Sequence, residues 1–431
     1  MNIGLVNEYF PPFAPGGAEW SMLALAQRLA QSHRVTVVTP NYGAAASEEL
    51  DGIRIYRFDY QARLEPGQTT VRFRWLANPL FYLRSARQIE RIARRERLDI
   101  LHAQNKYSLP GAWLAARRLG IPVVYTVRDA TMICPLGQCL IKYEPVHPEC
   151  GHWGHWWRDC RPTYIDNYLS GKRKSLRVNA TLLWLWLDTR LRRWFFRRAD
   201  GVIGVSEGIL KVYDQAGLLT GQPARAIYNL PPSDAPLPDD EIAELRRQMD
   251  LGGHKIVFYA GRFSLGKGTH DLVKAADVVV QTVPEALFLF AGQGNLALSG
   301  PHTRSLGRLA HDEVWRLYHL ADLVIVPSRQ PEPLSRVALE AMASGTPLVG
   351  TRVGGTPELI EDSVNGRLVE RGSPAQLAKA ITSLLLDDDL RARMGQASRE
   401  LVHTRFAPEA SLERLVDFYH QAIAKWGEQR G

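Results

Sequence analysis

Along this chain the apolar positions fall in short runs separated by stretches of helical period. In the first half the runs are Ile3–Val6, Arg34–Thr39, Ile100–His102, Val123–Val127 and Val202–Val205. In the second half they are Ile256–Ala260, Leu287–Ala291, Leu323–Pro327 and Pro347–Gly350. Each is rich in β-branched or aliphatic residues, as strands buried on both faces are. Helical spacing follows several of them, over Glu19–Ala30, Gly268–Gln281 and Arg336–Ser344. Strands alternating with helices predict parallel sheets with covered faces. Two such series predict an α/β chain of two doubly wound, Rossmann-like domains.

The boundary between the series is legible. Asn229 to Asp240 holds four prolines and no regular period, which reads as a linker over 230–240. This gives an N-terminal domain over 1–229, with an insertion at about 130–198, and a C-terminal domain over 241–405. A last helix over 406–431 carries Leu412, Leu415, Val416 and Tyr419 on one face.

Composition narrows the partners. With 431 residues, 45% hydrophobic and 23% charged, the chain is globular and long enough for two cores. A formal charge of +8 suits phosphates, nucleic acid or an acidic membrane face. No segment reaches the roughly 18–20 apolar residues that span a bilayer. The N-terminus lacks a basic region followed by a long apolar stretch, and reads as a first strand rather than a secretory signal. A cytoplasmic location with reduced thiols is therefore expected.

The most informative stretch runs from Pro327 to Pro347, where a strand ends and a helix begins, and it holds Glu332 in the loop and Glu340 about two turns into the helix. Ligands of open α/β sheets bind outside the carboxyl ends of the strands, where a helix N-terminus offers free N–H groups to anions. Two glutamates eight apart would be weak evidence alone. Five further elements stand in order around them. Tyr259-Ala-Gly-Arg262-Phe-Ser-Leu-Gly-Lys267-Gly follows the first strand of the second domain, and Phe290-Ala-Gly292-Gln-Gly294 the next. Gly354-Gly355-Thr-Pro-Glu358 and Asn365-Gly366 lie downstream, and Pro11-Pro-Phe-Ala-Pro-Gly16-Gly17-Ala-Glu19 follows the first strand of the chain. Together these residues resemble the family-4 glycosyltransferases, whose E-x7-E signature has this glutamate spacing.

The resemblance implies a GT-B fold, two Rossmann-like domains facing each other across a cleft, with the last helix crossing back to the first domain. It implies an N-terminal acceptor domain and a C-terminal donor domain binding a nucleotide sugar. The leaving diphosphate needs fixed positive partners, a role the resemblance carries to Arg262 and Lys267. Gly16 and Gly17 would let backbone approach the phosphates and sugar. Glu340 would accept from the ribose, Glu332 would contact the transferred sugar, and backbone N–H groups around Leu334 and Ser335 would hold sugar hydroxyls. Glu19, Arg128 and Asp129 are candidates on the acceptor and sugar side. Glu332, Arg262 and Lys267 are the residues expected to carry the chemistry. The family retains anomeric configuration, the leaving phosphate helping to deprotonate the acceptor. No Asp-x-Asp motif stands in a donor-site context, so no cofactor or catalytic metal is implied. A UDP-sugar is favoured over a GDP-sugar; sugar, acceptor and linkage are left open.

The chain also departs from the family pattern. Arg128 stands where a His often precedes the Asp, with two readings of equal weight: a contact to a charged sugar or acceptor phosphate, or a pair with Asp129. Leu334-Ser335 replaces a more common Phe-Gly. Cys134, Cys139, Cys150 and Cys160 cluster after Asp129 with His147, His152 and His155 among them. A structural zinc is one reading, but none of the spacings is C-x2-C, and unligated thiols are favoured. From Lys172 to Arg198 the chain is basic and aromatic, with Asp188 its only acid. Drawn as a helix, Leu183, Leu187, Leu191 and Trp194 form the stripe expected to face the core. Leu182, Leu185 and Phe196 form a second side suited to a membrane interface, supported by Trp153, Trp156 and Trp157.

The expected activity is retaining transfer of a sugar to a saccharide or lipid-linked acceptor in cell-surface polysaccharide or lipopolysaccharide assembly, at the inner face of the membrane, without a nucleic-acid partner. The rivals are a sugar-nucleotide epimerase or a phosphorylase on the same fold, and a non-catalytic nucleotide-sugar-binding relative. A dinucleotide dehydrogenase is disfavoured because no Gly-x-Gly-x-x-Gly follows the first strand.

Overall fold

The computed structural model describes residues 1–14, 16–62, 64, 70–137, 150–169, 175–231, 236–298 and 300–428. The chain forms two compact units. One comprises Met1–Leu230 with Glu409–Gly431, the other Pro231–Pro408.

The first unit is built on eight strands: β1 (Asn2–Val6), β2 (Arg34–Asn41), β3 (Ser47–Leu50), β4 (Ile53–Asp59), β5 (Ile100–Ala103), β6 (Val123–Val127), β7 (Gly201–Gly204) and β8 (Ala224–Ala226). Their order across the sheet is β3-β4-β2-β1-β5-β6-β7-β8, parallel except for β3 on β4. The helices of this part are α1 (Gly17–Ala30), α2 (Pro79–Glu96), α3 (Ser108–Leu119), the short α4 (Trp153–His155), α5 (Arg161–Tyr168), α6 (Leu176–Phe196) and α7 (Glu207–Gln215). Of these strands, β3, β4 and β8 are absent from the sequence reading. Arginines interrupt the apolar run of β4, yet the Arg57 side chain is fully buried, donating to Glu48 and to the carbonyl of Pro11.

The second unit begins with α8 (Asp239–Gln248), which starts inside the stretch read as linker; residues 232–235 lie outside the described residues. Its sheet is wholly parallel: β9 (Lys255–Ala260), β10 (Ala286–Ala291), β11 (Thr303–Gly307), β12 (Leu323–Val326), β13 (Leu348–Thr351) and β14 (Gly366–Val369), in the order β11-β10-β9-β12-β13-β14. Its helices are α9 (Thr269–Val279), α10 (His311–Leu320), α11 (Arg336–Ser344), α12 (Thr356–Leu359), α13 (Pro374–Leu385) and α14 (Asp388–Thr404). The order reverses on either side of β9 and β12, which makes the loops after these two neighbours a switch point.

The final helix, α15 (Pro408–Glu428), belongs to the first unit. Leu415, Phe418, Tyr419 and Ala422 join the core formed by Ile3, Leu5, Val124 and Ile203, and Leu412 and Val416 pack on its edge. The Tyr419 hydroxyl lies 2.6 Å from His102 Nδ1 on β5. Burial holds His102 neutral, its pKa pushed down to about 3.

Helix α6 reverses the expected facing. Leu182 and Phe196 are buried, whereas Leu183, Leu187, Leu191 and Trp194 are exposed. The cause is a buried polar pair. Arg192 Nε donates to Asp188 Oδ2 at 2.8 Å, with both side chains 1% exposed or less. Tyr82 of α2 donates to the same carboxylate, and Arg192 also donates to the carbonyl of Thr131. An isolated buried charge is very costly, so these fixed partners decide which face turns inward.

Candidate active site

The second unit brings two loops together at the carboxyl edge of its sheet. The loop from Gly261 to Gly268 links β9 to α9, and that from Pro327 to Ser335 links β12 to α11. Two backbone bonds lace them, from Arg329 and Gln330 N–H to the carbonyl of Gly266. Asp271 accepts from Arg329 at 2.6 Å. Gly268 sits at φ +69°, where a Cβ would lie 1.7 Å from the carbonyl oxygen of Pro327. No other residue permits this approach.

Lys267 and Glu332 therefore meet. Lys267 Nζ donates to both carboxylate oxygens, at 2.9 and 2.7 Å, and Ser328 donates to Oε2 at 3.0 Å. Glu332 is held from behind as well: Gly355 N–H donates to its carbonyl, and a Cβ on Gly354 would meet that oxygen at 2.1 Å. The Gly354-Gly355 element thus seats the backbone of Glu332. Asn365 shapes the turn before β14, donating to the carbonyl of Leu359 and accepting from Glu361 N–H. Arg262 is exposed, and its carbonyl accepts from Tyr259.

Glu340 is the fifth residue of α11, a little over one turn from its start rather than two. It is 3% exposed, and its Oε1 accepts from Arg336 Nε at 2.5 Å and His311 Nε2 at 2.8 Å. Burial works against its charge, but the bond from His311 and the positive Arg336 outweigh it and hold the carboxyl below the ordinary glutamate value. Ser335 caps α11, its hydroxyl accepting from Ala338 N–H at 3.2 Å, and Leu334 beside it is buried. Sequence reasoning missed Arg336, His311 and Ser328. The i,i+4 spacing of Arg336 and Glu340 was available as a signal; that of His311, on another helix, was not.

In the first unit, Gly16 precedes α1 and its N–H donates to Glu19 Oε2 at 3.0 Å. A Cβ on Gly16 would touch only that oxygen, at 3.8 Å, so packing within the protein does not require a glycine there. Gly17 opens α1 and is exposed. Glu19 is buried, accepts from Asn105, and has its pKa raised, chiefly by desolvation. Arg128 follows β6 and donates to Gln104 at 2.7 Å and to Asn229 at 2.7 Å. Asp129 accepts from the backbone and hydroxyl of Thr131, closing its own turn. Glu8, just after β1, was not foreseen. It is buried, accepts from Tyr107 N–H, and its pKa is pushed up to about 7 by burial.

Among the described residues, no group of three or more His, Cys, Asp or Glu side chains is placed to hold a metal ion. Cys139 and His147, part of the expected cluster, lie outside the described residues. Cys134 and Cys150 both lie near Arg193, and His155 pairs with Asp159 at 2.9 Å.

Residues 15–230 match the model of Glycosyltransferase Family 4, half of the chain, and residues 241–401 match that of Glycosyl transferases group 1. The chain belongs to glycosyltransferase family 4. Spore coat protein SA of Bacillus subtilis is 33% identical to this family member over 41% of the chain; the match spans about half (52%) of that relative's length. Among solved structures, Anabaena Alr3699/HepE in complex with UDP and glucose superposes with a TM-score of 0.70 at 21% identity, covering 98% of this chain and 100% of that one. WaaG, a glycosyltransferase involved in lipopolysaccharide biosynthesis, gives a TM-score of 0.60 at 14% identity over 97% and 99% of the two chains. These likenesses, with the two parallel-sheet units, make the fold GT-B.

Proposed function

We propose that this chain transfers a sugar, with retention of anomeric configuration, from a UDP-sugar to a saccharide or lipid-linked acceptor at the inner face of the cell membrane, in cell-surface polysaccharide or lipopolysaccharide assembly. The observation that carries the reading is the paired loops after β9 and β12, which set Lys267 against Glu332, with Glu340 on the following helix held by Arg336 and His311. The UDP and glucose held by Alr3699/HepE and the process named for WaaG support the donor and the setting.

In this reading the diphosphate lies against Lys267 and the exposed Arg262, whose charges stabilise it as it leaves. Glu332, oriented by Lys267 and Ser328, accepts from a hydroxyl of the transferred sugar. Glu340 has Oε1 engaged by Arg336 and His311 and offers Oε2 to the ribose. The bond from the anomeric carbon to the phosphate oxygen breaks while the acceptor oxygen bonds to the same face. The acceptor proton passes to an oxygen of the departing UDP. Charge on the phosphates is met by side chains and helix N-termini, without a divalent metal.

The test is a thermal-shift panel of UDP, GDP, ADP and UDP-sugars on the full chain, followed by transfer assays with and without EDTA and assignment of product anomeric configuration by NMR. A UDP-specific shift, EDTA-insensitive transfer and a retained anomer are expected. Stabilisation by GDP or ADP alone, loss of transfer in EDTA, or an inverted product refutes the corresponding part.

A further inference from the structure

The outward face of α6 is an exposed apolar feature that the donor chemistry leaves unexplained. Leu176, Leu183, Leu187, Leu191 and Trp194 lie within a narrow arc of the helix and are 36–86% exposed. Along a helix rising ~1.5 Å per residue, the stripe is roughly 27 Å long. Its margins are basic: Arg177, Arg190, Arg197 and Arg198 are all exposed. The only acid of α6, Asp188, is buried against Arg192, so every outward charge is positive. The surface continues onto the start of α2, where Leu80, Leu83, Arg84 and Arg87 are exposed. Trp184 Nε1 donates to the carbonyl of Ala77 just before that helix, joining the two.

We infer that this α6–α2 face lies flat on an anionic phospholipid bilayer. Leucines and Trp194 would enter the headgroup boundary, while arginines at the edges reach lipid phosphates. Charge selects the occupant: exposed arginines on α6 (Arg177, Arg190) and just past its end (Arg197, Arg198), with no outward acid on the helix, match a surface of phosphates. The helix lies on the membrane rather than across it, because its other face is committed to the core by Leu182, Phe195, Phe196 and the Arg192–Asp188 pair. Among the described residues no helix is long and apolar enough to cross a membrane. This deepens the proposed membrane-associated acceptor, and rests on that reading for its purpose but not for its test.

The test is flotation of the full chain, without donor, on vesicles of phosphatidylglycerol and phosphatidylethanolamine or of phosphatidylcholine alone, in low and high salt. Preferential binding to the anionic vesicles, weakened by salt, is expected. L183E/L187E and R190E/R197E should each reduce that binding by about tenfold or more, with melting temperature and the UDP-induced shift unchanged. The positions are exposed, so folding should survive. Equal binding of wild type to both vesicle types overturns the inference, as does undiminished binding of both variants. So does a dimer of the wild type that the same variants dissolve, since the face would then be covered by a second copy. A chain that floats but transfers no sugar sinks the functional proposal alone; one that transfers sugar to a soluble acceptor but never floats sinks only this inference.

Discussion

Replacing Lys267 by alanine should damage donor binding in two separable ways. The first is loss of a charge-assisted hydrogen bond to the diphosphate, ~1.5–3 kcal/mol. The second comes from Glu332, whose oxygens lie 2.7 and 2.9 Å from Lys267 Nζ and whose side chain is 12% exposed. Without its cation it stands as an uncompensated negative charge. At ~5 Å from a phosphate and an effective dielectric constant of ~20, the repulsion is ~3 kcal/mol. The Lys267 side chain is 31% exposed, so solvent screening should reduce that to roughly half. The sum is ~3–4.5 kcal/mol, or UDP affinity weakened by about 10²–10³. K267A/E332Q removes the stray charge and should bind about tenfold more tightly than K267A. Calorimetric titration of UDP into the three proteins at one ionic strength measures both terms. If K267A binds within about threefold of wild type, the diphosphate is not at Lys267. If the double variant is no tighter than the single one, the charge of Glu332 does not face the phosphates.

Two further outcomes follow from buried charge in the first unit. R192A leaves Asp188 buried without its cation and should cost about 3–5 kcal/mol in urea unfolding; a loss below about 1 kcal/mol would mean that the pair does not set the facing of α6. Glu8, raised from 4.5 to about 7, binds its proton more tightly folded than unfolded. Its contribution to stability is therefore complete below pH 4.5 and is lost as pH rises through 7. The full loss is ~3 kcal/mol, so E8Q should be the more stable protein at pH 8, with the two converging towards pH 4.5; parallel stability profiles would refute the buried neutral carboxyl.

How much was legible in the chain depended on whether the controlling interaction was local. The central strands declared themselves as short apolar runs, because a strand buried on both faces has no polar alternation to hide it. The glycine elements were legible because steric exclusion fixes the residue type: a Cβ on Gly268 or Gly354 would collide with the backbone of Pro327 or Glu332. The facing of α6 was not legible. Its two sides are about equally apolar, and the choice was made by Asp188 and Arg192, residues that on most helices mark the solvent side. Their partners Tyr82 and Thr131 lie 106 and 61 residues away in sequence. For the same reason His311 went unnoticed as a partner of Glu340, 29 residues distant. Glu8 was more accessible, being an acid two residues beyond the first strand.

The two units present different chemistry at their strand ends, and the difference bears on what each can bind. In the second unit the acids beside the β9 and β12 loops are met by cations: Glu332 by Lys267, Glu340 by Arg336 and His311, Asp271 by Arg329. A site of fixed ion pairs with Arg262 projecting into solvent is pre-organised for a charged ligand, since its dipoles need not rearrange when a diphosphate arrives or departs. In the first unit the corresponding acids, Glu8 and Glu19, have pKa values raised by burial that outweighs the pull of Lys106 on Glu8 and of Arg128 on Glu19, while Arg128 donates to the amides of Gln104 and Asn229. Such an edge carries hydrogen-bonding groups with little exposed negative charge. That suits the uncharged hydroxyls of a saccharide better than a second diphosphate.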